Sequence, residues 1–472
     1  MRASIHSTRI ITLLFVPIML LIISGCSNDD DDSLTLLPPP TPDNATALIR
    51  VTHASPDAPP VNLYVDGELF QGDVDYSTST GLTEVPAGDL QVEVRGILPD
   101  GTELSVIGPV TLTLEDDTLT DVIAYDKLLD GNEINIKSKV IGSEISDIGS
   151  GNIRLNLLHI APKVGNVDIY IGAPGQPLGQ ITPIDIGFGD NSAPLLVAAG
   201  EYQVRITPNG DSTVVYDSGT LSLAEGTDLL VAAIENTTGI GANPVNLLAI
   251  DAEGAGILYD TGVGAEVRMV HNSLDTPKVD VLVNGIEVID ALSYPENSTY
   301  NSLAAPAGNY DITVAADSDN TVAPIQLEEL SLQQGTSYTA VAIGSLVDET
   351  LEALLTVDDR RTVATEARLR VIHGSYEIAK NIPVDIYLTE SIDLGNSEPV
   401  IEDLAYGTAT SQLPIPEGVY VVTVTAANDD TVIAFQTGPL DLNAGKNYTV
   451  IARDPSASET GAPLIAVTLL GE

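Results

Sequence analysis

Short apolar strands recur in four similar sets along this 472-residue chain. The first strand of each set closes on a histidine: ALIRVTH at His53, RLNLLH at His159, AEVRMVH at His271 and RLRVIH at His373. Apolar residues alternate in step with the imidazole: Ile49 and Val51, Leu155 and Leu157, Val267 and Met269, Leu369 and Val371. Residues two apart on a strand share a face, so each histidine continues a buried face. Arg50, Arg268 and Arg370, three positions earlier, point the other way.

Three more landmarks follow in the same order each time. A second strand reads VNLYV, VDIYI, VDVLV or VDIYL, with Val61, Leu63 and Val65 on one side and Asn62 and Tyr64 on the other. The same split places Asp168 with Tyr170, Asp280 with Leu282 and Asp385 with Tyr387. Next comes an aromatic (Tyr76, Phe188, Tyr294 or Tyr406), then a glycine (Gly88, Gly200, Gly308 or Gly418) that opens another strand and is expected at a turn of positive φ. The fourth landmark is a tight hairpin at Pro99-Asp100-Gly101, Asn209-Gly210-Asp211, Asp319-Asn320 or Asp429-Asp430.

About seven strands per set, frequent turn signals and no convincing helix predict an all-β chain of four tandem β-sandwiches, immunoglobulin-like or transthyretin-like. A propeller blade repeats at about 40 to 50 residues, so a period near a hundred excludes it. The expected organisation is a leader at 1–25, an acidic and proline-rich tether at 26–45, and repeats at 46–140, 152–252, 265–357 and 366–472. Polar or glycine-bearing joints fall at 139–151, 253–264 and 358–365. Fully extended, such beads would reach on the order of 150 Å.

The chain start carries an address. Arg2 and Arg9 precede an apolar run from Ile10 to Ile23, and Ser24-Gly25 lead into Cys26. This resembles the lipobox of bacterial lipoproteins, which implies cleavage before Cys26 and lipid on its thiol and new amino group. Cys26 is the one cysteine of the chain, so no intramolecular disulfide forms. Ser27 after the cysteine is similar to the outer-membrane sorting preference, and Asp29 to Asp32 resemble surface-export signals; a solvated spacer is the plainer reading of that acidic run. The expected location is the outer membrane of a bacterial cell envelope, facing the periplasm or the surface, with the lipid anchor as the contact to the membrane.

Charge narrows the partners. The chain has 19 basic against 67 acidic residues, a formal net charge of −48, and loss of the leader arginines makes it more acidic. Nucleic acid and anionic lipid surfaces repel such a body. With 43% hydrophobic residues the acidity does not signal disorder.

The stretch RVTHASPDAPPVNLYVDG (50–67), with PAGDLQVEVR (86–95), resembles the domain-of-unknown-function 4397 family. The other three copies match more loosely, and together the copies cover nearly all of 46–472. The resemblance implies an extracytoplasmic β-fold and brings no activity with it.

The candidate chemistry is sparse. Zinc needs three or four converging ligands, and His53, His159, His271 and His373 lie in separate repeats with no second histidine or cysteine nearby. They read as structural repeat markers, neutral imidazoles bonded to loop backbone, with Asp57 as a candidate partner in the first copy. The acidic turn tips suit weak calcium binding, but hairpins demand Asn, Asp and Gly there for backbone reasons. The tyrosines read as packing, and the absence of tryptophan weakens a carbohydrate-binding module. No nucleophile elbow, phosphate loop or metalloprotease motif occurs, so no catalytic residue is assigned and no enzyme is expected. The reading is a lipid-anchored, non-enzymatic array that binds a protein or polysaccharide surface ligand, or a structural spacer. The alternative is a periplasmic accessory subunit of an outer-membrane complex.

Overall fold

The computed structural model describes residues 45–131, 133–305, 308–377, 379–459 and 464–471. The leader, Cys26 and the tether to residue 44 lie outside these described residues. Among them the structure is almost entirely β, with two single turns of 3-10 helix at Leu178–Gln180 and Ala457–Glu459. No described helix is long and apolar enough to cross a membrane.

Each repeat is a sandwich of two sheets. The histidine strands Thr46–Ala54, Asn152–His159, Glu266–His271 and Ala367–His373 lie inside the first sheet. Each pairs in parallel with a strand late in its own repeat: Thr118–Tyr125, Asp228–Glu235, Ser337–Ile343 or Lys446–Arg453. The register sets every histidine opposite an alanine, Ala124, Ala233, Ala342 or Ala452. A small cross-strand partner leaves room for the ring. The first sheet is therefore mixed, because the chain crosses to the second sheet and returns alongside its own first strand. In the second sheet, Val61–Val65, Val167–Gly172, Val279–Val283 and Val384–Thr389 pair antiparallel with the strand opened by the landmark glycine.

Alternation fills each core as the sequence predicts. Ile49, Val51, Val61, Leu63, Val92 and Val94 close the first sandwich, and Leu157, Val167, Ile169 and Ile206 the second. Several details differ. Among the described residues the repeats hold between eight and eleven strand segments, more than expected because two-residue edge pieces such as Thr78–Ser79 are too short to show a period. Strand Lys137–Glu144 carries the first repeat beyond residue 140, and Ala255–Leu258 adds a strand inside the stretch read as a joint. Both are edge strands: the polar positions of KSKVIGSE read as linker, and AGIL is too short and glycine-bearing to show a strand period. Of the landmark glycines, Gly88 has φ +130°, but Gly200, Gly308 and Gly418 do not adopt positive φ; Gly200 and Gly418 simply begin a strand, opposite Leu223 and Leu442.

The face carrying Arg50, Arg268 and Arg370 does not meet solvent. Ala54, Ile123 and Tyr125 of the first repeat pack against Leu158, Ile160, Leu230 and Ile250 of the second. Val270, Val341 and Ile343 of the third pack in the same way on Ile372, Ile451 and Leu470 of the fourth. The histidine-bearing sheets thus stand back to back in two pairs, and the four repeats fall in one compact unit. Apolar area removed from water contributes roughly 25 cal/mol per Å², so this second set of cores adds to the four internal ones.

Candidate functional site

Each histidine lies at or next to the end of its strand with the ring enclosed, His53 at 1% exposure and His159 at 0%. The loop that follows turns back over it, and Nε2 donates to a loop carbonyl: Pro59 at 3.1 Å, Gly165 at 2.9 Å, Pro277 at 3.0 Å and Ile382 at 3.3 Å. A carbonyl only accepts, so Nε2 carries a hydrogen in all four rings. His53 Nδ1 accepts from the backbone N–H of Ser55 at 3.2 Å, which makes that ring neutral. Burial, which disfavours the cation, lowers the pKa of all four and brings His53 down to about 4. Asp57 does not pair with the ring; its carboxylate accepts the N–H of Leu128 at 2.7 Å.

The landmark aromatic stands edge-on to each histidine: Tyr76 at 6.3 Å, Phe188 at 6.0 Å, Tyr294 at 6.1 Å and Tyr406 at 6.0 Å between ring centroids. These rings then reach the paired repeat. Tyr76 donates to the carbonyl of Glu235, Tyr294 to that of Asp454, and Phe188 meets Tyr125 at 5.7 Å. The histidine and the aromatic, far apart in each repeat, form one unit that joins a loop, a core and a neighbour.

The acidic turn tips are occupied by their own turns. Asp100 accepts from both the N–H and the hydroxyl of Thr102, and the same pattern recurs at Asp211 with Thr213, Asp319 with Thr321 and Asp429 with Thr431. The Asn/Asp of the second strand has a role that strand phase alone did not reveal. Asn62, Asp280 and Asp385 accept the N–H of Asp73, Ala291 and Asp403, residues held at positive φ in the next strand. Asp168 instead accepts from Gly210. The outward Tyr64 bonds Glu103 beneath the guanidinium of Arg95. Among the described residues one trio, Asp280, Asp290 and Asp317, brings carboxylate oxygens within 4.8 Å, an arrangement that can take a divalent cation; no histidine belongs to it.

The richest polar constellation lies in the joint before the fourth repeat. Arg361 donates to the carbonyl of Ala58 at 2.8 Å and to Asp75 at 2.9 Å, both in the first repeat, and its guanidinium lies over the Tyr76 ring. Arg360 bonds Glu266 at 2.9 Å and stacks over Tyr300 in the third. Arg370 of the fourth repeat pairs with Asp358, each side chain about as buried as a core residue. The joint therefore ties first, third and fourth repeats together. Sequence reasoning passed over it as a polar linker, although two adjacent arginines in so acidic a chain were a legible signal.

The model of the DUF4397 family, described as a domain of unknown function, matches residues 47–170, 265–387 and 377–468. The chain belongs to this family. Two of these DUF4397 matches run past a whole repeat into the histidine strand and second strand of the next, ending at Tyr170 and Tyr387. Those are the repeats that pack back to back. No curated protein matches the chain by sequence. Solved structures with some likeness include the Bacillus anthracis TIE protein (11% identity, 87% of this chain and 68% of that one, TM-score 0.13). Family 41 carbohydrate-binding modules from streptococcal virulence factors align at 10% identity over 41% of this chain and 93% of theirs, TM-score 0.12. A candidate cell adhesion protein from Bacteroides eggerthii aligns at 9% over 68% and 95%, TM-score 0.15. At such scores none of the three bears on function.

Proposed function

We propose that this DUF4397 chain is a lipid-anchored cell-envelope protein whose four repeats form one rigid, non-enzymatic binding block. The observation that carries the reading is the burial of the histidine-bearing sheets against each other in pairs. A spacer gains reach by leaving its beads apart. Here the beads give up reach for shared cores and for a joint that reaches back to the first repeat. Such a body presents composite surfaces made by several repeats, which suits recognition. The lipid on Cys26 would hold it at the outer membrane, and its net charge of −48 favours neutral or basic partners over anionic ones.

Protease shaving of intact cells, read beside scattering from the purified chain, tests this. The expected result is release of repeat fragments from the cell surface and a maximum dimension well short of the ~150 Å of an extended array. Repeats untouched by shaving would remove surface display, and an extended particle would restore the spacer.

A further inference from the structure

A cleft of about 250 Å³ opens where the first, second and third repeats meet the Arg360-Arg361 joint. No single repeat contains it. The first repeat contributes Asp75 and Ser77, the second Tyr259, the third Thr336 and Ser337, and the joint its two arginines. The Tyr259 ring reaches this position because residue 335 is glycine; a Cβ there would lie 2.3 Å from the ring. Ser337 opens the strand Ser337–Ile343, is 2% exposed, and its hydroxyl has no protein partner. A buried hydroxyl left in that state costs stability unless something else meets it.

The lining selects the ligand class. Three carboxylates, Asp75, Asp358 and Asp359, stand against two guanidiniums. Arg360 and Arg361 are engaged by Glu266 and Asp75. Asp358 and Asp359 are engaged in turn by Arg370 and Arg368, so every charge on the lining has an ionic partner and neither an anion nor a cation is offered a free counter-charge. Hydroxyl groups from three strands or loops, mixed donors and acceptors, and a tyrosine wall suit a neutral polyhydroxyl ring. The volume lies below the ~300–1,000 Å³ of pockets for larger organic ligands, so one ring fits and a chain of rings does not. We propose that this inter-repeat cleft binds one neutral sugar residue, with Ser337 and Thr336 bonding its hydroxyls and Tyr259 covering a face. The proposal rests on the reading of the chain as a binding block and gives that block a ligand class.

The full chain in detergent, titrated with methyl glucoside, methyl galactoside, methyl mannoside and N-acetylglucosamine, tests it by calorimetry and saturation-transfer NMR, with sodium sulfate as the anionic probe. At least one sugar is expected to bind in the millimolar range and sulfate not at all. Thr336→Gln, at a half-buried position, and Ser337→Val should each weaken that sugar tenfold or more, with Thr336→Gln leaving the melting curve unchanged. No sugar binding, preference for sulfate, or sugar affinity indifferent to both variants overturns the proposal. Failure here with surface shaving and compactness as expected removes the sugar site alone; an extended particle removes the block reading and this cleft with it, because the cleft exists only where the repeats pack.

Discussion

The phenol of Tyr76 in the first repeat donates to the carbonyl of Glu235 in the second across 3.1 Å, at the end of the strand Asp228–Glu235. The same ring abuts His53, so the histidine that closes one core is linked through one side chain to the neighbouring repeat. Stability of a core and stability of a pair are therefore coupled, and the histidines set how both respond to acid.

Each histidine has a folded pKa below its unfolded value. Below about pH 6.5 the unfolded chain takes up protons that the folded chain refuses, so stability falls with pH until the folded pKa is reached. For His53, lowered from 6.5 to about 4, the window is pH 6.5 to 4 and the contribution about 3 kcal/mol. Urea melts between pH 7.5 and 4 should show this loss, and His53→Gln should flatten part of the slope. A slope identical in the variant would show that His53 does not titrate on unfolding.

Leu158 precedes His159 and faces the first repeat, wholly buried. Leu158→Ala should cost about 2–5 kcal/mol. Hydrogen exchange should show faster opening in Thr118–Tyr125 of the first repeat as well as in the second. Loosening confined to the second repeat would mean that the pair is not cooperative.

Asp358 accepts from Tyr300, Thr339 and Arg370, three residues on two repeats. Asp358→Ala leaves the Arg370 charge buried without its carboxylate, which costs about 3–5 kcal/mol. A chemical melt of the full chain gives the value. A change under about 1 kcal/mol, the scale of an exposed pair, would show that water reaches this pair.

Ala291 sits at φ +53° with its N–H held by Asp280. A left-handed conformation costs a residue with a Cβ about 1–2 kcal/mol, while glycine loosens the unfolded chain by about 0.4–1 kcal/mol. Ala291→Gly should therefore stabilise by several tenths of a kcal/mol to about 1, and Asp280→Ala should destabilise by about 1–3 kcal/mol. Paired thermal melts check both signs.

Alternation with period two was enough to assign the all-β class, the four copies, the core face of each first strand and the place of each histidine on it. It also marked the acidic turns, since Asp, Asn and Gly are demanded there by local backbone geometry. Local rules reach that far because a strand's two faces are written in its own residues. The pairing of repeats was only half written. Leu158, Val270 and Ile372 are apolar on the face shared with Arg268 and Arg370, and SYTAVAI (337–343) is apolar on both sides, the mark of a doubly covered sheet. Nothing in the sequence names what covers that second face, because apolar burial is non-directional. Of the cleft only the Arg360-Arg361 pair was legible: Ser77, Tyr259 and Ser337 occupy unrelated places in their repeats and form no motif. Only the packing of sandwich against sandwich brings them within reach of one ligand.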